Sequence, residues 1–457
     1  MGHGECPAIP ELRRRIVGAR RRRRIARTRR SPMAPDLRPM ETPTETHIHI
    51  GEPILRWSAR AQSIAEIESE ISGMWSAHHP QDGADDGSVR NIAARTSVMN
   101  LVVVASGPEL AERSAATIQA LTGRHPSRTV VIQSADPDGP SWLDARIEAH
   151  CVLPHPDAAE TCAETIHVRS GGEAGRHLSA IATPLIIHDL PVTVWWPGEP
   201  ALTGPAAKRL LAGADRLVVD GSTWRSDGLD RLRQMAELQE ASSLAISDFA
   251  LDRQSRWREA IASIFDDPEF LPFLRSIRRI AVTFATHDET GAPGSTNLVK
   301  PIYHVGWLAS RLGLSVVRPL TAVGGAARAS RANVGKPISG PGLGATLSDG
   351  RREVAIVIRP IVSPMAAGTT LRVELLAERR GSELRADVTA EAETVRCRVW
   401  LDGVEALDRR FRAPRRGDVD LLADAIESGR RDPVAAGALR SAAALVAPGG
   451  PGGSAPP

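Results

Sequence analysis

The chain has 457 residues, of which 42% are apolar and 24% are charged. It can bury a sizeable core, which excludes a single small module and a wholly disordered chain. The net charge of +3 divides unevenly: residues 1–30 hold eleven Arg and two Glu, a net +9, so the rest of the chain carries −6. The acidic body has no charge reason to bind nucleic acid, so its composition does not predict a nucleic-acid partner.

The Arg-rich segment 1–45 is predicted to be disordered, because its like charges repel. It lacks the apolar run that a twin-arginine export signal needs. An arm that touches nucleic acid or an acidic partner is one interpretation. We favour a solvated tail, or an upstream extension with Met33 or Met40 as the true start.

Four cysteines in so long a chain exclude a disulfide framework, and they form neither a CxxC pair nor a zinc spacing. Cys151 and Cys162 could pair only if the fold brings their Cα atoms within roughly 7 Å. We expect them to stay unpaired in a reducing cytoplasm. Since no run of 18 uncharged apolar residues occurs, no membrane-spanning helix is predicted either.

Apolar residues at helical spacing predict an amphipathic helix over 55–79, after a strand-like segment that holds His47 and His49. We interpret the two histidines as a surface pair, because no further metal ligand is near them in sequence. A polar linker follows at 81–87. From there strands and helices alternate, which predicts an α/β fold with a mostly parallel sheet and helices on both faces. The predicted strands are 99–105, 128–133, 142–153, 161–169, 191–196, 216–220, 243–248, 279–284 and 314–317. The predicted helices are 108–122, 175–186, 204–213, 227–240, 254–265, 268–276 and 295–312.

The pattern changes in the C-terminal part of the chain. Residues 324–350 are rich in Gly and Pro and predict a linker or mobile loop. Five successive strands and two helices then predict an antiparallel α+β domain, with a hairpin turn at Asp402-Gly403. The predicted strands are 353–361, 369–377, 384–390, 394–401 and 404–412, and the helices are 418–428 and 434–446. The predicted domains are an α/β domain over 46–323, which could divide into two subdomains near 197–204, the linker, an α+β domain over 351–447 and a disordered tail over 448–457.

No fingerprint of a common nucleotide enzyme is present. The first strand-to-helix turn, Ser106-Gly107-Pro108, has one glycine, and the proline removes an N–H that a phosphate would need. Neither a P-loop nor a G-x-S-x-G elbow occurs. His188-Asp189 is the nearest approach to an acid–base pair, and adjacent loop residues often point apart. We therefore assign no catalytic residue, cofactor or metal.

The adjacent pair Trp195-Trp196 ends a strand that is apolar on both faces, which predicts a central position in the parallel sheet. Both indoles could belong to the core, or they could line a crevice at the carboxyl end of the sheet, where α/β proteins bind ligands. Trp196 shares a face with Val192 and Val194 and is the expected core residue. Trp195 is the expected contact residue. Asp189 is expected to hold the preceding loop by accepting backbone hydrogen bonds.

Several segments, taken in order, resemble the glucose-6-phosphate dehydrogenase assembly protein family, OpcA. The most specific is Asp189-Leu190-Pro191 followed by Trp195-Trp196, with Pro184-Leu185 before it. Further matches are Asn100 to Val103, His125 to Arg128, Ala214 to Asp220, and Ser247-Asp248 followed by Arg253, Trp257, Arg258 and Glu259. The resemblance covers roughly 55–445. An aromatic residue that the family often has near Ala250-Leu251 is absent.

The resemblance implies a non-enzymatic protein that assists the assembly or allosteric activation of glucose-6-phosphate dehydrogenase in the pentose phosphate pathway. It implies that enzyme as the partner, with no membrane. The residues that it singles out for partner binding or as family motifs are His188, Asp189, Leu190, Pro191, Trp195, Trp196, Arg128, Asp248, Arg253, Trp257 and Arg258. Two other hypotheses stay open: a small-molecule enzyme or sensor with a crevice near Trp195 and Trp196, and a nucleic-acid binder that uses the Arg-rich tail.

Overall fold

The computed structural model describes residues 51–77, 94–136, 138–153, 155, 160–287, 296–323, 342–428 and 431–446. Some predictions lie outside these residues: the tails 1–45 and 448–457, His47 and His49, the linker 81–87, and 324–341 of the Gly-rich segment.

Within the described residues, the first sheet has nine strands. They are β1 Ile54–Ala61, β2 Ala94–Arg95, β3 Met99–Ala105, β4 Ser127–Ser134, β5 Trp142–Val152, β6 Thr161–Gly171, β7 Val192–Trp196, β8 Arg216–Val219 and β9 Ala245–Asp248. Their order is β1-β5-β6-β4-β3-β7-β8-β9, with β2 also beside β6. Neighbouring strands pair in parallel except at one edge, where β5 is antiparallel to β6 and β1 is antiparallel to β5, so β5 alone runs against the other strands. The central position predicted for the Trp195-Trp196 strand is confirmed, since β7 lies between β3 and β8.

Helices cover both faces of this sheet. The α-helices of the described residues, including those that pack on the second sheet, are α1 Ile64–Ala77, α2 Pro108–Gln119, α3 Gly172–Gly175, α4 Leu178–Leu185, α5 Pro205–Ala212, α6 Leu229–Ala241, α7 Phe249–Asp252, α8 Ser255–Ile264, α9 Val299–Leu312, α10 Asp418–Glu427 and α11 Pro433–Ala444. Buried residues of α1, α4, α5 and α6 join one core, and those of α2 and α10 join a second core on the opposite face. The predicted α/β fold class is therefore confirmed.

The second sheet, in the part of the chain that the structure describes, has eight strands. They are β10 Ile277–Thr286, β11 Ser315–Val323, β12 Gly342–Ser348, β13 Glu353–Val362, β14 Thr370–Arg379, β15 Ser382–Ala390, β16 Thr394–Leu401 and β17 Val404–Arg412. Their order is β11-β12-β13-β10-β14-β15-β16-β17. Only β10 and β13 pair in parallel. Helices α8, α9 and α11 pack on this sheet, and its buried residues belong to the larger of the two cores.

The predicted allocation of several elements to the two sheets differs from the observed one. Strands β10 and β11 were expected in the parallel sheet but belong to the second sheet, and Gly342–Ser348 is a strand rather than a linker. Helix α10 was expected with the C-terminal domain but packs on the first sheet. Local patterns predict that a strand exists, but only tertiary packing decides which sheet it joins. Residues His49–Pro457 accordingly form one compact unit.

The predicted helix over 55–79 is correct only in its second half. Residues 54–61 form β1, because Trp57, Ala59 and Ala61 alternate with polar residues and pair with β5. The predicted helix over 175–186 is also divided, into α3 and α4.

Cys151 and Cys162 face each other across the β5–β6 hairpin, with their Cα atoms 4.0 Å apart, and form a disulfide. The expectation that they stay unpaired is wrong, because their spacing in sequence does not reveal the pairing register of the two strands. Across the described part of the chain, no helix has the length and apolar character to cross a bilayer.

Candidate functional site

The residues that the sequence singles out lie at three levels of the first sheet. The edge where the parallel strands begin, here called the amino edge, carries Arg128 and the segment His188–Pro191. The sheet interior holds Trp195 and Trp196. The edge where the strands end, here called the carboxyl edge, carries Asp248, Arg253, Trp257 and Arg258. The fold therefore does not gather these residues into one site.

At the amino edge, Arg128 is part of a buried ion pair. Its guanidinium pairs with Glu164, which is 1% exposed, and donates to the carbonyl oxygen of Leu185 at 3.1 Å. The Trp75 indole N–H also donates to Glu164, at 2.8 Å. Since these contacts link β4, β6, α1 and α4, Arg128 has a structural role.

The loop 186–191 at the same edge is exposed at His188, Asp189 and Pro191. Its anchor is Asn100, which is fully buried: the side-chain amide donates to the carbonyl oxygens of Ile187 (2.9 Å) and Leu190 (3.2 Å) and accepts from the N–H of Ile187 (2.7 Å). Among the described residues Asp189 accepts no hydrogen bond, and its φ is +69°. The anchoring role expected of Asp189 therefore belongs to Asn100.

Both tryptophans are buried, Trp195 at 2% and Trp196 at 7% exposure. Trp196 lies in the core with Val192 and Val194, as predicted. Trp195 was expected to be a contact residue, but its face is covered by Phe249, 6.2 Å away between ring centroids, and by α10. The expected exposure is wrong because α10, from the far end of the chain, packs there. The pair therefore lines no open crevice.

At the carboxyl edge a cluster of charged residues joins the first sheet to α10. Arg253 donates to both carboxylate oxygens of Asp220, each at 2.7 Å, and its other nitrogen donates to Asp418 at 2.7 Å. Asp220 directly follows β8, and Asp418 begins α10. The guanidinium also lies 5.6 Å from the centre of the Phe249 ring. Arg253 thus bridges two carboxylates and the aromatic core.

Asp248 ends β9 and is 3% exposed. Its carboxylate accepts from the N–H groups of Gly221 (2.9 Å) and Ala250 (2.8 Å) and from the Tyr303 hydroxyl (3.0 Å). A Cβ on Gly221 would lie 2.8 Å from this carboxylate and 2.6 Å from Val299, so only glycine fits there. Burial raises the pKa of Asp248 to about 7, although the three donors favour its charged form.

Helix α9 supplies three further polar side chains to this edge: Lys300, Tyr303 and His304. Burial lowers the pKa of Lys300 to about 8, and its ammonium group has no hydrogen-bond partner among the described residues. Burial, and then the charge of Arg258, lowers the pKa of His304 to about 3. Both ring nitrogens of this histidine are buried without a partner in the described structure.

Trp257 and Arg258 lie next to these residues on α8. The Trp257 ring lies 5.3 Å from the His304 ring, and Arg258 donates to the carbonyl oxygen of Leu251 at 2.5 Å. Burial raises the pKa of Asp252 to about 6, against the favourable charge of Arg258. The four carboxyl-edge residues that the sequence singles out therefore do lie in one neighbourhood.

Groups that titrate between pH 6 and 8 can exchange protons, so the cluster holds the elements of acid–base chemistry. However, Asp248, Tyr303 and His304 are at most 3% exposed, and Arg253 neutralises Asp220. The geometry fits a structural bridge better than an open reaction centre.

Sequence reasoning assigned no site role to Asp220, Lys300, Tyr303, His304 and Asp418. Signals for some of them were present: Asp220 and Asp248 each follow an apolar strand, so both had to lie at the carboxyl edge. Tyr303 is the only tyrosine of the chain, and Lys300 and His304 are four residues apart on one helix, hence on one face. Nothing in the sequence connects Asp418 to this edge.

Two sequence profiles match consecutive parts of the chain. The profile described as the glucose-6-phosphate dehydrogenase subunit N-terminal domain matches residues 118–237, and the one described as the C-terminal domain matches residues 244–439. The chain belongs to the OpcA family. The gap between the two OpcA matches, residues 238–243, covers the last turn of α6 and the turn before β9, so both matches contain strands of the first sheet.

Two cyanobacterial OpcA proteins, whose names assign them provisionally to the OxPP cycle, are similar to this chain. The Synechocystis sp. protein is 30% identical over 172 residues, which are 37% of this chain and 34% of the relative. The Nostoc punctiforme protein is 29% identical over 171 residues, with the same two coverages. The chain thus matches about a third of the length of these curated relatives.

Solved structures to which this chain is similar include UDP-N-acetylglucosamine 3-dehydrogenase GnnA from Acidithiobacillus ferrooxidans. It has 13% identity and a TM-score of 0.37, over 76% of this chain and 95% of that one. Aldose-aldose oxidoreductase from Caulobacter crescentus has 15% identity and a TM-score of 0.39, over 76% and 94%.

Proposed function

We propose that this protein is a non-catalytic assembly factor and allosteric activator of glucose-6-phosphate dehydrogenase in the bacterial cytoplasm. The observation that carries the proposal is the pair of consecutive OpcA profile matches over 118–237 and 244–439, both described as parts of a glucose-6-phosphate dehydrogenase subunit. The closed charge cluster at the carboxyl edge supports a structural rather than a catalytic role for its residues.

We assign the contact with the dehydrogenase to the loop 186–191 at the amino edge. His188, Asp189 and Pro191 are exposed there, and the hydrogen bonds from Asn100 hold the loop in one conformation. A rigid exposed loop loses little conformational entropy on binding, which favours affinity. This loop replaces Trp195 as the contact, since Trp195 is buried. The alternative of a small-molecule site beside the two tryptophans loses its support for the same reason.

The test is an activation titration of purified dehydrogenase with this protein, and with the double variant His188→Ala/Asp189→Ala. We expect the wild-type protein to raise the rate saturably and the variant to need at least about tenfold more protein, as for loss of an interface hot spot. The matched control is Glu109→Ala/Arg113→Ala, an exposed pair on α2 at the opposite edge, which should titrate like the wild type.

Failure of the wild-type protein to bind or activate the dehydrogenase overturns the proposal. Normal activation by the loop variant overturns only the contact assignment. Turnover of a sugar phosphate that follows this protein through purification would contradict the non-catalytic role.

A further inference from the structure

A cleft lies between α2 and the part of the first sheet that contains β4, β5 and β6. Its volume is about 270 Å³. Its polar lining residues are Arg60, Glu112, Gln133, Asp144, Arg146, His167 and Arg169, and Pro108, Ala111, Val131 and Val168 complete the wall. The cleft is at the carboxyl ends of β4 and β6, where α/β sheets bind ligands, and it is separate from the charge cluster around Asp248.

Three arginines line this cleft: Arg60, Arg146 and Arg169. Arg60 contacts Asp144 at 3.4 Å in an exposed pair, which is weak and exchanges partners readily. Arg146 contacts Glu112 at 3.2 Å and the buried Glu148 at 3.0 Å, so two carboxylates neutralise it. Arg169 has no ion pair or hydrogen bond among the described residues. Its guanidinium lies 5.8 Å from the ring centre of Trp142, which is itself 36% exposed.

Gln133 is the second observation that points to a ligand. Its side chain is in the cleft wall, the residue is 8% exposed, and its amide makes no hydrogen bond with any described residue. Because this amide makes no hydrogen bond within the described structure, its N–H₂ group is available to a ligand oxygen. His167, also 8% exposed, lies beside it in the wall.

The donor set fits one chemical class. A planar guanidinium and an amide N–H₂ match the several acceptor oxygens of a phosphate group. The carboxylates of Glu112 and Asp144 repel a larger polyanion but can accept hydrogen bonds from hydroxyl groups. The wall adds side-chain donors beside the turn at Pro108, whose ring removes one backbone N–H from the start of α2.

We propose that this cleft binds the phosphate monoester of a small hydroxylated compound, with Arg169 and Gln133 on the phosphate and Glu112 and Asp144 on the hydroxyl groups. The site does not depend on the dehydrogenase partner, so its test is a direct binding measurement on the full chain.

The experiment is calorimetric titration of the full-length protein with a hexose 6-phosphate, the matching free hexose and inorganic phosphate. We expect saturable binding of the hexose phosphate, weaker binding of inorganic phosphate and none of the free hexose. Arg169→Gln should weaken hexose phosphate binding about tenfold or more, the effect of losing one charge-assisted hydrogen bond. Gln133→Leu should weaken it as well.

The matched control is Arg113→Gln, which removes an exposed arginine of α2 that does not line the cleft and should leave binding unchanged. Equal weakening by Arg113→Gln and Arg169→Gln would mean non-specific attraction and would overturn the proposal. Absence of saturable binding, or unchanged binding in Arg169→Gln, would overturn it too. Because Arg169 is exposed, its variant should keep the wild-type melting temperature, which separates lost binding from lost folding.

Discussion

His304 is buried in its neutral form, and the acid stability of the protein depends on that. Its pKa of about 3 in the folded state lies below the ordinary 6.5, so the unfolded chain binds a proton more readily. Above pH 6.5 the histidine is neutral in both states and its titration does not affect the stability, whereas the fold is increasingly destabilised as the pH falls from 6.5 towards 3. Its two nitrogens without partners also carry a desolvation cost at every pH.

We therefore predict that His304→Leu keeps or raises the free energy of unfolding at neutral pH and loses less of it on acidification. Urea unfolding at a series of pH values between about 7 and 4 measures both effects. The exposed His188, changed to Leu, should follow the wild-type pH dependence. A His304→Leu curve parallel to the wild type would contradict the prediction.

Arg253 neutralises Asp220, which is 5% exposed. Arg253→Met would leave the buried carboxylate of Asp220 without its counter-ion, so we expect a loss of about 3–5 kcal/mol in the free energy of unfolding. Arg256→Met, on the exposed face of α8, removes only an i,i+3 pair and should cost less than about 0.5 kcal/mol. Chemical denaturation measures the free energy of unfolding of both variants. Equal losses would show that the Arg253 bridge contributes no more than a surface ion pair.

For the two tryptophans we expect the same result, since both are in the core. Trp195→Ala and Trp196→Ala should each lower the free energy of unfolding by about 3–5 kcal/mol. Trp142→Ala, at a position that is 36% exposed, should cost clearly less. Thermal melts of the three variants check this. A wild-type melting temperature for Trp195→Ala would restore its assignment as a contact residue.

At the level of elements, Asn100 couples β3 to the loop 186–191. Asn100→Ala removes three hydrogen bonds and leaves partly buried backbone groups of Ile187 and Leu190 without this partner, so we expect a loss of about 1–3 kcal/mol. The Ile187 amide should exchange its hydrogen faster, and activation of the dehydrogenase should weaken. Ser134→Ala, which removes a single hydrogen bond to the Gly175 carbonyl at the other edge, is the control. Unchanged exchange at Ile187 would refute the anchoring role.

Helices and strands with a clear hydrophobic periodicity could be predicted from the sequence. The sheet that a strand joins could not, because it depends on distant pairing partners. The sequence pattern places the fully buried strand Met99–Ala105 correctly. It also places the five successive strands that begin at Glu353. The strand β1 was missed because its alternation is short and precedes a true helix. The allocation of β10 to the second sheet depends on pairing with β13 and β14, which a local pattern does not contain. The same limit explains why Asp248 and Arg253 could be singled out while Asp418 could not.

At the level of the whole molecule, the two C-terminal helices complete structure that begins much earlier in the chain. Residues Leu421 and Leu422 of α10 cover the face of the first sheet that holds Trp195 and Phe249, and α11 packs on α9 and α6. A chain that ends at Ala413 should therefore lose cooperative thermal unfolding. A chain that ends at Val446 keeps both helices and should unfold as the full chain does. A cooperative transition in the shorter truncation would show that the first sheet folds without α10.

The position of α10 has a consequence for synthesis on the ribosome. Every strand of the first sheet leaves the exit tunnel before the helix that covers Trp195 and Phe249, and the entire second sheet is translated in between. During that interval the nascent chain presents an apolar face, the kind of surface that chaperones bind and that aggregates when it stays uncovered. Slow elongation over residues 277–412 would prolong this exposure, so the yield of folded protein should depend on translation speed and chaperone supply more than on the stability of the finished molecule.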